Sequence, residues 1–442
     1  MDTLFSNITA VTMLDKLPVI FGAYVGITDG KISYVSYEPP KEEAKKVIDG
    51  RGMVLMPGLV NCHAHIPMTP LRGYGDDHAL ADWLNNYVFP KEDKWDSRAI
   101  KAATLLGLAE CLRFGTTSIS DMYYFSDDIC QCVADTGIKA NVARSITVFE
   151  EDFCFDKHKG CQELVDLHEK WHNYDNGRIK VETSIHAEYT SHEAVWHALA
   201  EYAINNDLGM HVHVSETRSE HETCLEKYGL TPAQLLDVSH VWDSRGYAAH
   251  CVYLDDEDME LFARKKVSAV HCPNSNLKLA SGIAPVKKMM DKGMNVALGT
   301  DGVSSSNNTD MFEAIKLAAL LSNGTTLDPM SLSAQEALKM ATLNGAKCQG
   351  REGECGCIAP GMDADLIMLD FAQPHLIPCH NPISNLVYAA SGHDVVMTMV
   401  RGNILYENGQ YPTIDLRAVL QEFHDYVVPL MFGDDGKEQP NG

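Results

Sequence analysis

The chain has 442 residues, 45% of them hydrophobic and 22% charged. Those fractions suit a globular protein with a large core and exclude disordered and fibrous classes. With 36 Lys and Arg against 61 Asp and Glu, the formal net charge is -25, a field that repels phosphate backbones and argues against nucleic acid as a partner.

The opening Met1-Asp2-Thr3-Leu4 has no basic stretch leading into an apolar one, so no secretory signal is expected. No apolar run nears the roughly 18 residues a membrane helix needs, so no membrane partner is expected. The expected location is cytoplasmic, with the 13 cysteines as reduced thiols. Triplets such as Asn7-Ile8-Thr9 then carry no glycan.

Val25-Gly26-Ile27-Thr28 and Lys31-Ile32-Ser33-Tyr34-Val35 flank Asp29-Gly30, a dipeptide suited to a two-residue hairpin. Far downstream, Ala364–Leu369, Val395–Val400 and Asn403–Tyr406 read as strands, with Gly402 and Asn408-Gly409 as turns. Short β segments at both ends predict one small β-sandwich domain built from residues 1–56 and 352–442. A helix is predicted over Leu416–Phe423, then a polar tail over 434–442.

Residues 57–351 are expected to form the second domain. Strand-like runs are Val54–Val60, Thr116–Ser120, Ala140–Ser145, Ile179–Ile185, Gly209–Val214, Tyr247–His250, Val267–His271 and Asn295–Gly299. Between them lie amphipathic stretches such as Ile100–Phe114, Ala194–Asn205 and Leu254–Lys265. Such alternation implies a parallel sheet, and eight β/α pairs over about 300 residues fit a (β/α)8 TIM barrel. The predicted fold class is α/β, a TIM barrel carrying the small β domain.

Barrel enzymes place chemistry at the C-terminal ends of their strands. The first run leads into His63-Ala64-His65, whose imidazoles share a face because side chains alternate along a strand. The fourth ends in His186, the sixth in His250 and the seventh in His271; the fifth contains His211 and His213, and Asp301 follows the eighth. Converging imidazoles and a carboxylate are ligands that Zn2+ accepts, with a position left for water. His213 is preferred over His211 because it lies nearer the strand end, leaving His211 as a supporting or core histidine. A binuclear site would need a bridging ligand, and the only lysine of the fourth run, Lys180, stands at the wrong end of it; one metal is expected. Glu216, three residues past His213, could act as a general acid.

Other motifs read as structural. His168-Glu169-Lys170-Trp171-His172 matches a zinc-protease pattern but falls at the end of a helix, on the side of the barrel opposite the catalytic face. Cys355-Gly356-Cys357 near Cys348 is one close pair where structural zinc needs repeated pairs, and Cys130-Gln131-Cys132 fits a helix with its thiols pointing apart. Cys62 is expected to face away from the ligand side as a small core residue. Gly73-Tyr74-Gly75 is too short for a phosphate loop, and no serine-hydrolase elbow occurs.

Pro57-Gly58-Leu59-Val60-Asn61-Cys62-His63-Ala64-His65, His213-Val214-Ser215-Glu216-Thr217, Ala249-His250-Cys251, Asn274-Ser275-Asn276-Leu277-Lys278-Leu279 and Leu298-Gly299-Thr300-Asp301-Gly302 together resemble the amidohydrolase superfamily. Pro67-Met68-Thr69-Pro70-Leu71-Arg72-Gly73 and Ile283-Ala284-Pro285 are similar to its 5'-methylthioadenosine/S-adenosylhomocysteine deaminase and chlorohydrolase-like branch. Gly361-Met362-Asp363-Ala364-Asp365-Leu366 resembles the point where such chains re-enter the small β domain.

The resemblance implies that His63, His65, His213 and Asp301 bind one divalent metal ion, Zn2+ foremost, with Mn2+ or Fe2+ as alternatives. It implies that Glu216 protonates a ring nitrogen, that Asp301 carries a proton from water to departing ammonia, and that His250 orients the attacking oxygen. It further implies that Glu92 binds a ribose diol, that His186 contacts substrate, and that Arg144 reaches a carboxylate tail. Trp83 would wall the pocket or simply fill core. The resemblance also implies a homo-oligomer, dimer or tetramer.

Relatives often carry proline two residues after the histidine matched by His186; here Glu188 stands there, a carboxylate expected beside the pocket that could repel an anionic tail or bind a cationic or amino-bearing ring, which argues against S-adenosylhomocysteine as the substrate. The implied activity is deamination of an adenosine-type nucleoside. The alternative is deamination or dechlorination of another N-heterocycle, such as guanine, 8-oxoguanine, a pterin or a triazine. A barrel that survives only as a binding module would be expected to lack some of these residues, yet His63, His65, His213, Glu216, His250 and Asp301 are all present.

Overall fold

A computed structural model of the chain describes residues 1–78 and 80–433. Its strands are β1 (Thr3–Val11), β2 (Val19–Thr28), β3 (Lys31–Ser36), β4 (Lys46–Asp49), β5 (Met53–Pro57), β6 (Leu59–Ala64), β7 (Thr116–Tyr123), β8 (Lys139–Arg144), β9 (Ile179–Ser184), β10 (Met210–Val214), β11 (Gly246–His250), β12 (Ser268–His271), β13 (Val296–Leu298), β14 (Leu366–Asp370), β15 (Val395–Val400) and β16 (Asn403–Glu407). They form two eight-stranded sheets.

One sheet joins both ends of the chain in the order β16-β15-β14-β5-β1-β2-β3, with β4 beside β1. The Asp29-Gly30 hairpin forms as expected, both residues at positive φ, with Thr28 paired to Lys31. Phe5, Ile8, Val25 and Ile32 from one end meet Leu366, Met397 and Met399 from the other in a single apolar cluster, so the sheet curls over its own core.

The other sheet holds β6 to β13 in sequence order, parallel throughout, as the β/α alternation predicts. All eight expected barrel runs appear, several shifted at their ends. One of them needs correcting: Val54–Val60 is not a single strand. β5 belongs to the small sheet and β6 to the barrel, with the chain crossing between them at Gly58. A Cβ at Gly58 would lie only 2.2 Å from Thr117 Oγ1, so glycine alone permits this crossing.

The seam between β6 and the segment after β13 is stitched by a side chain. Asn61 Nδ2 donates to Thr300 Oγ1 (2.7 Å), Thr300 N donates back to Asn61 Oδ1 (3.1 Å), and Asp301 N donates to His63 O (2.9 Å). The strand that carries His63 and the segment that carries Asp301 are thereby locked in register.

The opposite end of the barrel is plugged by the fully buried Arg351. Its guanidinium donates to the carbonyls of Gly177, Ala140 and Arg178. Lys180 bonds Gly350 O and Glu354 there, away from the metal-type residues. The buried Lys139 pairs with Asp363 and Asp365 and ties barrel to small sheet.

The last predicted helix is longer than expected. Leu416–Glu422 continues through Phe423–Val427 into Val428–Phe432, because Val427 and Met431 are also buried against the barrel core. The expected polar tail, 434–442, lies outside the described residues. No helix of the described residues is long and apolar enough to cross a membrane.

Candidate active site

The strand ends bring His63, His65, His213, His250 and Asp301 to one focus. The ligand atoms of His63, His65 and His213 all lie within 4.8 Å of one another, as do those of His63, His250 and Asp301. Asp301 Oδ1 stands 3.4 Å from His63 Nε2 and 3.2 Å from His65 Nε2.

Each imidazole is aimed by a bond at its other nitrogen, the usual way in which supporting groups fix a ligand tautomer. His65 Nδ1 donates to Met122 O at the end of β7. His213 Nδ1 donates to His186 O (2.7 Å). His63 Nδ1 shares a 2.8 Å hydrogen bond with His211 Nε2. His211 thus spends the nitrogen that faces the focus, and its ring lies on Tyr247. Asp301 is fixed by Gly302 N on one oxygen (2.7 Å) and Ser305 Oγ on the other (3.0 Å).

The donor set fits a divalent ion. His63 Nε2 is buried and makes no hydrogen bond. Burial lowers His63 to about 4 and takes His213 well below its ordinary value, so both rings are neutral and can offer a lone pair. Burial opposes charge on His65 as well, but Asp301 and the Met122 carbonyl raise it to about 9. Burial would raise Asp301, yet the two imidazoles hold its carboxyl well below the usual range. A cation at the focus would take the place of the His65 proton and satisfy both His63 Nε2 and the carboxylate.

Above the focus lies Glu216, buried, with Oε1 accepting from Ser281 Oγ (3.2 Å) and Oε2 3.7 Å from His250 Nε2. Burial raises its carboxyl above the ordinary range against the pull of His250. His250 is itself oriented by Asn276, whose Oδ1 accepts from Nδ1 at 2.8 Å. His186 sits under His213, ring centroids 4.7 Å apart, and burial lowers it to about 3.

These groups share one pocket with Trp83, Phe89, Glu92 and Tyr189. Glu92 ends the short helix Phe89–Glu92 and faces the pocket. Tyr123 OH donates to its Oε1, and Trp95 Nε1 donates to Tyr123 OH (3.2 Å). Burial raises the Glu92 carboxyl against that hydrogen bond.

Arg144 is not in this pocket. It lines a neighbouring cavity of about 360 Å³ that shares Phe89, Glu92 and Tyr124 with it. There Arg144 stacks over Tyr124 and pairs with Glu163 (2.7 Å).

Asn61, Asn276, Ser281 and Ser305 support the site without being singled out by sequence reasoning. Asn61 lies within β6, Asn276 and Ser305 in short helices past the strand ends and Ser281 in a loop, and such lone hydroxyls and amides carry no spacing signal; only contact across the barrel reveals them. The zinc-protease-like pair stays apart from the focus. His168 bonds Tyr202 OH, and His172 Nδ1 accepts from Val181 N. Cys62, Cys272, Cys348 and Cys355 share a small buried cluster, all as free thiols.

Residues 54–405 match the amidohydrolase family. The chain is 43% identical over 428 residues to a 5-methylthioadenosine/S-adenosylhomocysteine deaminase of Acetivibrio thermocellus, covering 95% of this chain and 97% of the relative. It is 39% identical to a 5'-deoxyadenosine deaminase of Methanosarcina mazei, over 95% of this chain and 96% of that one. Among solved structures, a zinc-bound adenosine deaminase from Xanthomonas campestris superimposes with a TM-score of 0.90 at 31% identity, covering 95% of this chain and 96% of that one. On family match, identity and shared fold alike, this chain belongs to the amidohydrolase family.

Proposed function

We propose that the chain is a metal-dependent hydrolytic deaminase of an adenosine-type nucleoside, such as 5'-methylthioadenosine, 5'-deoxyadenosine, S-adenosylhomocysteine or adenosine. The observation that carries this reading is one pocket holding a His/Asp focus, a buried acid and, across from them, the Glu92 carboxylate. The names of the relatives support the same substrate class.

His63, His65, His213 and Asp301 would hold one divalent ion, Zn2+ foremost, with Mn2+ or Fe2+ as alternatives. When bound, such an ion supplies a Lewis acid that makes water nucleophilic near neutral pH. Glu216 donates its proton to the ring nitrogen beside the amino-bearing carbon. His250, held by Asn276, orients the attacking water oxygen. Asp301 accepts one proton from that water and passes it to the amino group, and the second water proton restores Glu216 as the new carbonyl forms. A C–O bond forms, the C–N bond breaks, and ammonia leaves with the inosine analogue behind.

His186 meets the substrate from below. Glu92 accepts from the ribose diol with the oxygen that Tyr123 leaves free. Arg144 would receive an anionic tail in the neighbouring cavity only by exchanging its Glu163 partner. A cytoplasmic homo-oligomer, dimer or tetramer, completes the proposal, and light scattering tests the assembly.

The test is ammonia release by the zinc-loaded protein from those four nucleosides side by side, with His63→Ala as control. Release that vanishes in the control supports the reading. No release from any of the four removes the nucleoside assignment and turns the search to guanine, pterins and triazines. Glu92→Ala is expected to lower kcat/KM for the preferred nucleoside about thirtyfold, the worth of a hydrogen bond to a charged group, and to leave free-base turnover nearly unchanged. Equal loss on both would remove the diol role.

A further inference from the structure

The loop that carries Glu216 is held from behind by a second carboxylate. Glu220, in the helix Arg218–Tyr228, caps that helix's own N-terminus. Its Oε1 accepts from Ser215 N (2.7 Å), and its Oε2 accepts from Glu216 N (2.8 Å) and Thr217 N (3.2 Å). Three backbone N–H groups therefore converge on one side chain, and the middle one belongs to Glu216. Ser215 is at positive φ (49°), a conformation that a serine keeps only when its surroundings hold it.

Glu188 faces Glu220 from the loop after β9. It opens the short turn Glu188–Thr190, which is pinned by Thr190 Oγ1 accepting from Ala187 N (3.1 Å). Its side chain is 3% exposed, and Oε2 is buried without a hydrogen-bond donor. Neither Glu188 nor Glu220 has a cation partner among the described residues. Glu188 is buried and Glu220 half-buried, and two carboxylates in contact there cannot both be ionised, because like charges at such range repel too strongly. Burial first and Glu216 second lift Glu220 to about 7 against its three N–H donors, whereas Glu188 is lifted well above its ordinary value despite the backbone N–H groups of Glu188 and Tyr189, so Glu220 is the better site for the negative charge. The proton then belongs on Glu188, where it closes the contact as an O–H···O hydrogen bond.

We infer that Glu188 is a positioning residue: as a neutral carboxylic acid it donates to Glu220, and through Glu220 it fixes the backbone of Glu216. The raised affinity of Glu188 for its proton, caused by burial first and by Glu220 second, accords with this. The kinetic part of the inference rests on the proposed deaminase reaction with Glu216 as its acid; the protonation part does not.

The test compares Glu188→Gln with Glu188→Leu. Glutamine keeps a donor for Glu220, whereas leucine keeps similar bulk without one. With zinc loaded and the preferred nucleoside, Glu188→Gln is expected within about threefold of the parent kcat. Glu188→Leu is expected to lose about ten- to a hundredfold in kcat, the scale of a small misplacement of a catalytic group, with KM and zinc content nearly unchanged. In infrared difference spectra at neutral pH, a protonated-carboxyl band of the parent should be missing from Glu188→Gln. Equal kcat in the two variants, or no change in that band, overturns the inference. If the parent deaminates no nucleoside, the functional reading falls and the infrared arm still decides the protonation of Glu188.

Discussion

His213→Ala is expected to abolish bound zinc and ammonia release together, whereas His211→Ala should keep the metal site and weaken it. The two histidines share a strand and a face, so their difference lies entirely in what their nitrogens do. His213 gives Nδ1–H to the His186 carbonyl and leaves its Nε2 among the ligand atoms of His63 and His65. His211 has already committed Nε2 to His63 Nδ1. In the proposed site, deleting His213 would remove a ligand. Deleting His211 removes only the group that orients one, a change that costs about 10–100-fold in metal affinity.

Turnover of His213→Ala should fall by at least about a thousandfold, because water loses its activation at neutral pH. Metal content after dialysis, measured beside ammonia release, is the check. Retained zinc in His213→Ala, or its complete loss in both variants, would reassign the ligand set.

That contrast also marks what a sequence can disclose. His63 and His65 are legible because strand alternation puts them on one face, and Asp301 because it follows the last strand of a repeating β/α pattern. The preference for His213 over His211 needs only its position nearer the strand end. The seam is not legible: Asn61 reads as one more polar residue, and only the closed barrel brings Thr300 against it. The crossing at Gly58 is hidden for a related reason. Val54–Val60 is uniformly apolar, and the obstacle that demands glycine is Thr117, nearly sixty residues away and on another strand.

Arg144 shows the opposite limit. Its type suits an anionic tail, yet its charge is already met by Glu163, and its cavity adjoins the metal-type focus without including it. Residue type is read locally, whereas the partner that neutralises it is set by packing.

Glu216→Gln is expected to lower kcat by about 10²–10⁴-fold, the usual contribution of a positioned general acid, with zinc content unchanged. The carboxyl accepts from Ser281 on one oxygen, so the proton it would donate in the proposed reaction sits on the other, the side facing His250 and the pocket. Burial raises its affinity for that proton, so the acid form persists to a higher pH than for an exposed glutamate. The sign follows: parent activity declines as pH rises through the raised value, because the proton to be donated is lost.

A glutamine there is neutral at every pH and can donate a hydrogen bond but not a proton. The pH–rate profile of Glu216→Gln should therefore lack the alkaline decline that the carboxyl imposes on the parent, while its KM changes little. The discriminating measurement is that profile, taken on protein of matched zinc content. A variant that keeps both the parent rate and the parent decline would show that the ring nitrogen takes its proton from another donor.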